Sequence, residues 1–383
     1  ICRACQAEIV DPSNRRFRYP FITCVDCGPR YTILVSPPFD RINTTMREFE
    51  MCEQCRLEYE DPTDRRFHAQ TISCSKCGPS LELRNDQRSV TGDEALAECI
   101  QVLLNGGIVG LKGIGGFQLL ARADSESTVR RLRELKRRDA KPLAVMVRNQ
   151  TMARGVAEID DESSRALDSV EGPIVLVPRL ANLQIASNVA PDSQLLGLML
   201  PTTGLHQLIA EGVAGPLVCT SANISDETIL SEGMERQVSP MVDALLSHNR
   251  KIERHADDSV GRVIDGQFGL MRRGRGFAPR PIWLDEDGPT VLAVGAELKN
   301  TISLVSGRQA FTSVHVGDLG SLPSRTAFLR IIEDAITVNA ALPNLVVCDM
   351  HPGYASTRFA TEQQMAPVLQ VQHHHAHVAS CIA

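Results

Sequence analysis

Eight cysteines fall into two copies of one pattern: Cys2-x-x-Cys5, eighteen residues, Cys24-x-x-Cys27, and then Cys52-x-x-Cys55, eighteen residues, Cys74-x-x-Cys77. The copies are offset by 50 residues, and the offset persists between the cysteines: Asp11-Pro12 recurs as Asp61-Pro62, Arg15-Arg16-Phe17 as Arg65-Arg66-Phe67, and Gly28-Pro29 as Gly78-Pro79. Two thiols two residues apart make a knuckle that presents both sulfurs to one ion, and two knuckles complete a tetrahedron. The spacing therefore points to two structural zinc sites, with iron or a redox dithiol as the alternatives. Four thiolates leave no open position, so the metal is expected to brace the fold and not to catalyse. A module this small has little core, so each site is expected to supply about 10 kcal/mol or more of folding free energy, and chelation to unfold it.

The rest of the composition narrows the class. With 383 residues the chain has room for two or three domains, each with its own core. No apolar run approaches the length of a membrane span and none reads as a signal peptide, so a membrane partner is not expected and a cytoplasmic location is. Zinc, and not disulfides, is then the better use of paired cysteines. Residues 1–84 carry 12 Lys plus Arg against 12 Asp plus Glu, without the basic excess that nucleic-acid binding demands. Arg15, Arg16, Arg65 and Arg66 are left as a local exposed patch. The chain opens at Ile1 directly on a cysteine motif and closes at Ala383 soon after a histidine cluster, and it reads as a piece of a longer protein.

After a polar hinge at 85–87, Gly92 to Leu104 has the pattern of an amphipathic helix. Ile108-Val109-Gly110-Leu111 then reads as a buried strand delivering Lys112 to Gly113-Ile114-Gly115-Gly116, where glycines allow close backbone approach to a ligand. Val129, Leu132 and Leu135 mark the buried side of a helix over 128–138, which carries Lys136, Arg138 and Lys141 into the following turn. Leu217-Val218-Cys219 is a further strand, stopping in Thr220-Ser221-Ala222-Asn223, where open α/β sheets keep their ligands. Arg273 and Arg275 stand between glycines, suited to forked contacts with phosphate. His255-Ala256-Asp257-Asp258 is either a capped turn or a helper for the magnesium or sugar of a nucleotide. In the last hundred residues, Leu345 to Asp349 is a buried strand, and His373 and His377, four apart on one helix face, can grip one ion.

Lys136, Arg138 and Lys141-Pro142, with Ser221 and Asn223, match the K-x-R, Lys-Pro and S-x-N motifs of the YrdC family, which the chain resembles over roughly 90–280. That resemblance implies ATP-dependent formation of a carbamoyl-adenylate. Members that carbamoylate threonine carry a Pro-Thr segment after the first strand. Here Lys112-Gly113-Ile114-Gly115-Gly116-Phe117 looks like the hydrogenase-maturation branch, so threonine is not the expected substrate. The 50-residue duplication closely resembles the zinc region of that branch, the HypF family, although Thr71 stands where its FHAQP segment has proline. Val371, His373, His374, Ala376 and His377 fit V-x-H-H-x-A-H of the carbamoyltransferase domain related to TsaD.

These resemblances imply an α/β multidomain chain: a tandem zinc module at 1–85, a YrdC-like adenylating domain at 86–287, and the first part of an actin-like, TsaD-like domain at 288–383. Attack of a carbamate oxygen on the α-phosphorus of ATP brings anions together, so fixed cations and magnesium are needed. Lys112, Lys136, Arg138 and Lys141 are the candidates for phosphate and carbamate contacts, Ser221 and Asn223 for hydrogen bonds, and Arg273 and Arg275 for nucleotide phosphates. His373 and His377 are implied ligands of a divalent metal, completed by an Asp beyond Ala383. The implied partners are ATP, carbamoyl phosphate and the C-terminal cysteine of HypE. An O-carbamoyltransferase of natural-product synthesis, or a zinc-ribbon RNA-binding protein, are the alternatives.

Overall fold

The computed structural model describes residues 1–180, 184–223, 230 and 232–382. The chain forms two compact units, the first running from Ile1 to Met271 and the second from Arg272. The contacts draw no divide near residue 85, because the first copy of the zinc module packs into an apolar core of the α/β region.

The duplication is as visible in space as in sequence. Helices Arg3–Val10 and Glu53–Glu60 start right after Cys2 and Cys52, and each offers one buried cysteine, Cys5 or Cys55. The left-handed residues Arg18 (φ 57°) and His68 (φ 53°) also stand fifty apart. The environments of the copies differ. Cys5, Ile9, Ile22 and Cys24 join a cluster with Leu83, Leu96, Leu205 and Ile209 of the α/β region. Cys55, Ala69, Ile72 and Cys74 make a small cluster of their own. Gly204 marks the closeness of the first docking: a Cβ there would lie 2.7 Å from the Pro20 carbonyl and 3.0 Å from Ile9 Cδ1.

The α/β region is built on a mixed sheet. Its spatial order is Gln267–Arg272, Val260–Ile264, Ile174–Pro178, Leu195–Met199, Val145–Met146, Leu217–Ser221, Phe117–Arg122, Val109–Lys112, Ala244–His248, Leu81–Arg84, Ser89–Thr91. The central strands are largely apolar because both faces are covered. Leu119 and Ala121 face the layer of helix Glu126–Lys136, with Val129 and Leu132. Leu120, between them, faces helices Gly92–Leu104 and Gly204–Val213. Ser125 caps helix Glu126–Lys136 by accepting from the Thr128 amide, and Arg137 ends it in the left-handed region at φ 50°. The helix thus stops at Lys136, two residues short of the 128–138 expectation, which puts Arg138 in the turn.

The second unit holds a six-stranded mixed sheet of order Ile282–Trp283, Gln309–Thr312, Ser303–Ser306, Val291–Ala293, Leu345–Asp349, Val368–Val371. Helix Leu322–Asn339 buries Phe328, Ile331 and Ile332, and helix His373–Ile382 follows the last strand.

Candidate functional site

The strand Leu217–Ser221 and the helix Glu126–Lys136 end at the same place. Lys136, fully buried, points its ammonium at three oxygens: Ser221 O at 2.6 Å, Asn223 O at 2.7 Å and Asn223 Oδ1 at 3.1 Å. Ser221 Oγ donates to the same Asn223 Oδ1 at 2.7 Å. An ammonium has three donors, so all are engaged within the chain. Burial, with the positive charges of Arg138 and Lys141, pulls Lys136 down to about 7, while Asp257 pulls the other way.

Arg138 closes its own turn, its Nε donating to the Lys141 carbonyl at 3.1 Å and its Nη2 to that of Pro142. The turn is templated from beneath by Arg133, a residue sequence reasoning passed over. Its guanidinium reaches the carbonyls of Asn188 (2.6 Å), Val189 (3.0 Å), Arg138 (2.8 Å), Asp139 (3.2 Å) and Lys141 (3.2 Å). The signal was present, an arginine four residues from Val129 on the apolar side of the helix.

The glycine loop makes its close approach to protein. The Ala256 amide donates to Gly115 O at 2.9 Å, and a Cβ on Gly115 would lie 2.4 Å from the Ala256 carbonyl. Gly115 thereby seats the Asp257-Asp258 segment. Asp258 Oδ2 accepts from Gln118 Nε2 at 3.0 Å. Gln118 lies directly across the antiparallel ladder from Ser221, which puts the acidic segment beside the Lys136 cluster.

Lys112 is engaged differently from the other candidates. It is buried, pairs with Glu232 at 2.9 Å and donates to the His248 carbonyl at 3.2 Å. It lines a cleft between the first finger and the sheet, together with His206, His248 and Arg250. Arg273 and Arg275 belong to the second unit. Arg273 Nη2 donates to the carbonyls of Phe277 (2.8 Å) and Arg280 (2.6 Å).

The eight paired cysteines gather into two clusters. Sulfurs of Cys2 and Cys24 lie 3.6 Å apart and those of Cys24 and Cys27 4.0 Å, while Cys52 and Cys74 are 3.7 Å apart and Cys55 and Cys77 3.6 Å. Tetrahedral zinc with bonds of about 2.3 Å separates its sulfurs by about 3.8 Å, so both clusters fit two structural zinc ions.

The arginines read from sequence as an exposed basic patch are in fact committed to these clusters, and each serves the other copy. Arg15 reaches Glu58 (2.7 Å) and Cys55 Sγ (3.4 Å), and Arg16 reaches Glu58 (2.5 Å) and Ser73 O (2.9 Å). Reciprocally, Arg65 reaches Glu8 (2.8 Å) and Cys5 Sγ (3.1 Å), and Arg66 reaches Glu8 and Thr23 O (3.0 Å). Arg16 and Arg66 are buried because they must cross between copies to reach negative charge. Burial alone would raise the two glutamates, but the bonds from Arg65 and Arg66 hold Glu8 below the usual carboxylate range, and those from Arg16 and Arg15 do so for Glu58.

In the second unit, His373 Nδ1 meets Asp349 Oδ2 at 2.7 Å, and His373 Nε2 and His377 Nε2 are 3.1 Å apart. Asp349, at the end of strand Leu345–Asp349, fixes the ring that faces His377. Among the described residues only the two cysteine clusters bring three or more metal-type ligands together.

Two braced cysteine fingers on a mixed α/β sheet, with a second α/β unit following, define a zinc-stabilised multidomain α/β protein. Family models divide the chain in the same order: HypF finger at 1–34 and 51–84, the Sua5/YciO/YrdC model described as telomere recombination at 101–274, and the HypF Kae1-like domain at 286–383. Carbamoyltransferase HypF2 of Cupriavidus necator is 43% identical over 408 residues, covering 100% of this chain and 50% of its own. Carbamoyltransferase HypF of Synechocystis sp. is 43% identical over 389 residues with the same coverage. Threonylcarbamoyl-AMP synthase of Homo sapiens is 26% identical over 190 residues, 47% of this chain and 67% of its own. A crystal structure of full-length HypF in the phosphate- and nucleotide-bound form superposes with a TM-score of 0.96 at 40% identity, over 100% of this chain and 51% of that one. The chain belongs to the HypF carbamoyltransferase family. It spans about half the length of the curated relatives it matches.

Proposed function

We propose that the first unit activates carbamate with ATP, as part of a carbamoyltransferase of hydrogenase maturation. The carbamate oxygen attacks the α-phosphorus of ATP, the bond to the β-phosphate bridging oxygen breaks, and pyrophosphate leaves with that electron pair. The observation that carries the reading is the junction of Lys136, Ser221 and Asn223 beside Asp257-Asp258. It supplies a buried positive charge, a polar strand end and two carboxylates suited to magnesium, the combination such a step requires. Lys136 acts through the oxygens it organises, because its donors are already used. Arg138 and Lys141 present positive charge in the turn, and Ser221 and Asn223 present hydrogen-bonding groups. Lys112 is a further candidate phosphate contact of the first unit, and Arg273 and Arg275 are candidates within the second unit.

Two named relatives support this reading. Threonylcarbamoyl-AMP synthase carries adenylate chemistry in its name, and a HypF relative is described with nucleotide bound. Carbamate derives from carbamoyl phosphate, and the carbamoyl group passes to the C-terminal cysteine thiolate of HypE. His373 and His377, the former oriented by Asp349, would hold a divalent metal in the second unit, which supplies charge for phosphate or carbonyl oxygen. The zinc ions hold the fingers.

The test is ATP–pyrophosphate exchange with ammonium carbamate as the direct carbamate source. Exchange that needs carbamate, and falls at least tenfold in Ser221→Ala and Asn223→Ala, is expected. Exchange indifferent to carbamate sinks the reading.

A further inference from the structure

A row of polar side chains runs through the first unit beneath the Lys136 cluster. Thr202 Oγ1 and His206 Nδ1 are 3.1 Å apart, His206 Nε2 and Gln118 Oε1 2.9 Å, and Gln118 Nε2 and Asp258 Oδ2 3.0 Å. His206 is 3% exposed and Gln118 9%, so these bonds are made away from bulk water.

The chain has one consistent direction. An ionised Asp258 only accepts, so the amide of Gln118 donates to it and its carbonyl must accept. The donor to that carbonyl is Nε2–H of His206, and in the neutral imidazole Nδ1 then accepts from the Thr202 hydroxyl. Reversing the Gln118 amide would set its carbonyl against the carboxylate and its N–H₂ against the imidazole N–H. The backbone makes room for this arrangement. A Cβ on Gly113 would lie 3.2 Å from Gln118 Oε1, and Gly115 presses on Ala256, two residues before Asp258.

We propose that Gln118 and His206 are positioning residues for Asp258: they fix one carboxylate oxygen so that the group meets the magnesium of ATP in a set orientation. This rests on the reading of the first unit as a nucleotide-activating site. Asp258 would hold the magnesium, whereas Gln118 and His206 act only through Asp258. Sequence carried no sign of either role, since His206 falls inside an apolar helix and Gln118 inside an apolar strand.

Magnesium-dependent ATP binding to the full chain is measured by calorimetry, with exchange in parallel. Gln118→Met and His206→Phe are each expected to raise the half-saturating magnesium about tenfold, the scale of losing a carboxylate's outer partner. Together they should cost no more than Gln118→Met alone, and His206→Gln, which restores a donor, should recover most of the loss. Unfolding midpoints identify variants that merely fail to fold. The proposal is overturned if Gln118→Met, while folded, keeps the wild-type magnesium requirement, if the two changes add independently, or if ATP binds without regard to magnesium. Wild-type protein that binds magnesium-ATP but never exchanges pyrophosphate sinks carbamate activation and leaves positioning to be judged on magnesium alone.

Discussion

Lys136 shows how far one buried cation can be set from its ordinary behaviour. Its folded value near 7 lies below the 10.5 of a free lysine side chain, chiefly through burial. Between these values the unfolded chain holds a proton that the folded chain has shed, so this residue makes stability rise with pH across that window and adds no slope below about 7. Wild type should therefore gain stability relative to Lys136→Met as pH is raised from 7 to 10, measured by urea unfolding. A parallel pair of curves would show that the lysine titrates normally. At this scale the sequence announced the residues and not their duties. Lys136, Ser221 and Asn223 were recognisable from motif spacing, and they do converge. Gln118 and His206 were hidden, because a lone polar residue in an apolar run states that it must be satisfied without saying by what.

Elements carry the next layer. The helix Glu126–Lys136 was legible from its apolar stripe, yet its end was fixed by Arg137 adopting a left-handed cap, which no periodicity records. The finger knuckles were legible because cysteine spacing encodes metal geometry directly. The crossing of their arginines was not, since Arg15 lies 40 residues from the Cys55 it serves and Arg65 lies 60 from Cys5. Arg16→Ala is expected to speed zinc loss from Cys52, Cys55, Cys74 and Cys77, and Arg66→Ala from Cys2, Cys5, Cys24 and Cys27, each by about tenfold or more. A chromogenic chelator reads both rates. Equal and unchanged rates would mean that the arginines only fill space.

For the molecule as a whole, the merging of the first finger's core with the sheet alters what metal removal does. The sequence reading had chelation unfold a free-standing module. With Ile9 and Ile22 packed against Leu205 and Ile209, the first copy keeps an apolar anchor that the second lacks. On zinc stripping, hydrogen exchange should accelerate first and most over 52–77, with helix Arg3–Val10 retaining more protection. Uniform loss across both copies would refute the asymmetry. The swapped arginines have a consequence for heredity as well. Delete either fifty-residue copy and its sister keeps a carboxylate without its cation and sulfurs without their donors, so a duplication that began as redundancy has become a ratchet that no single excision can undo.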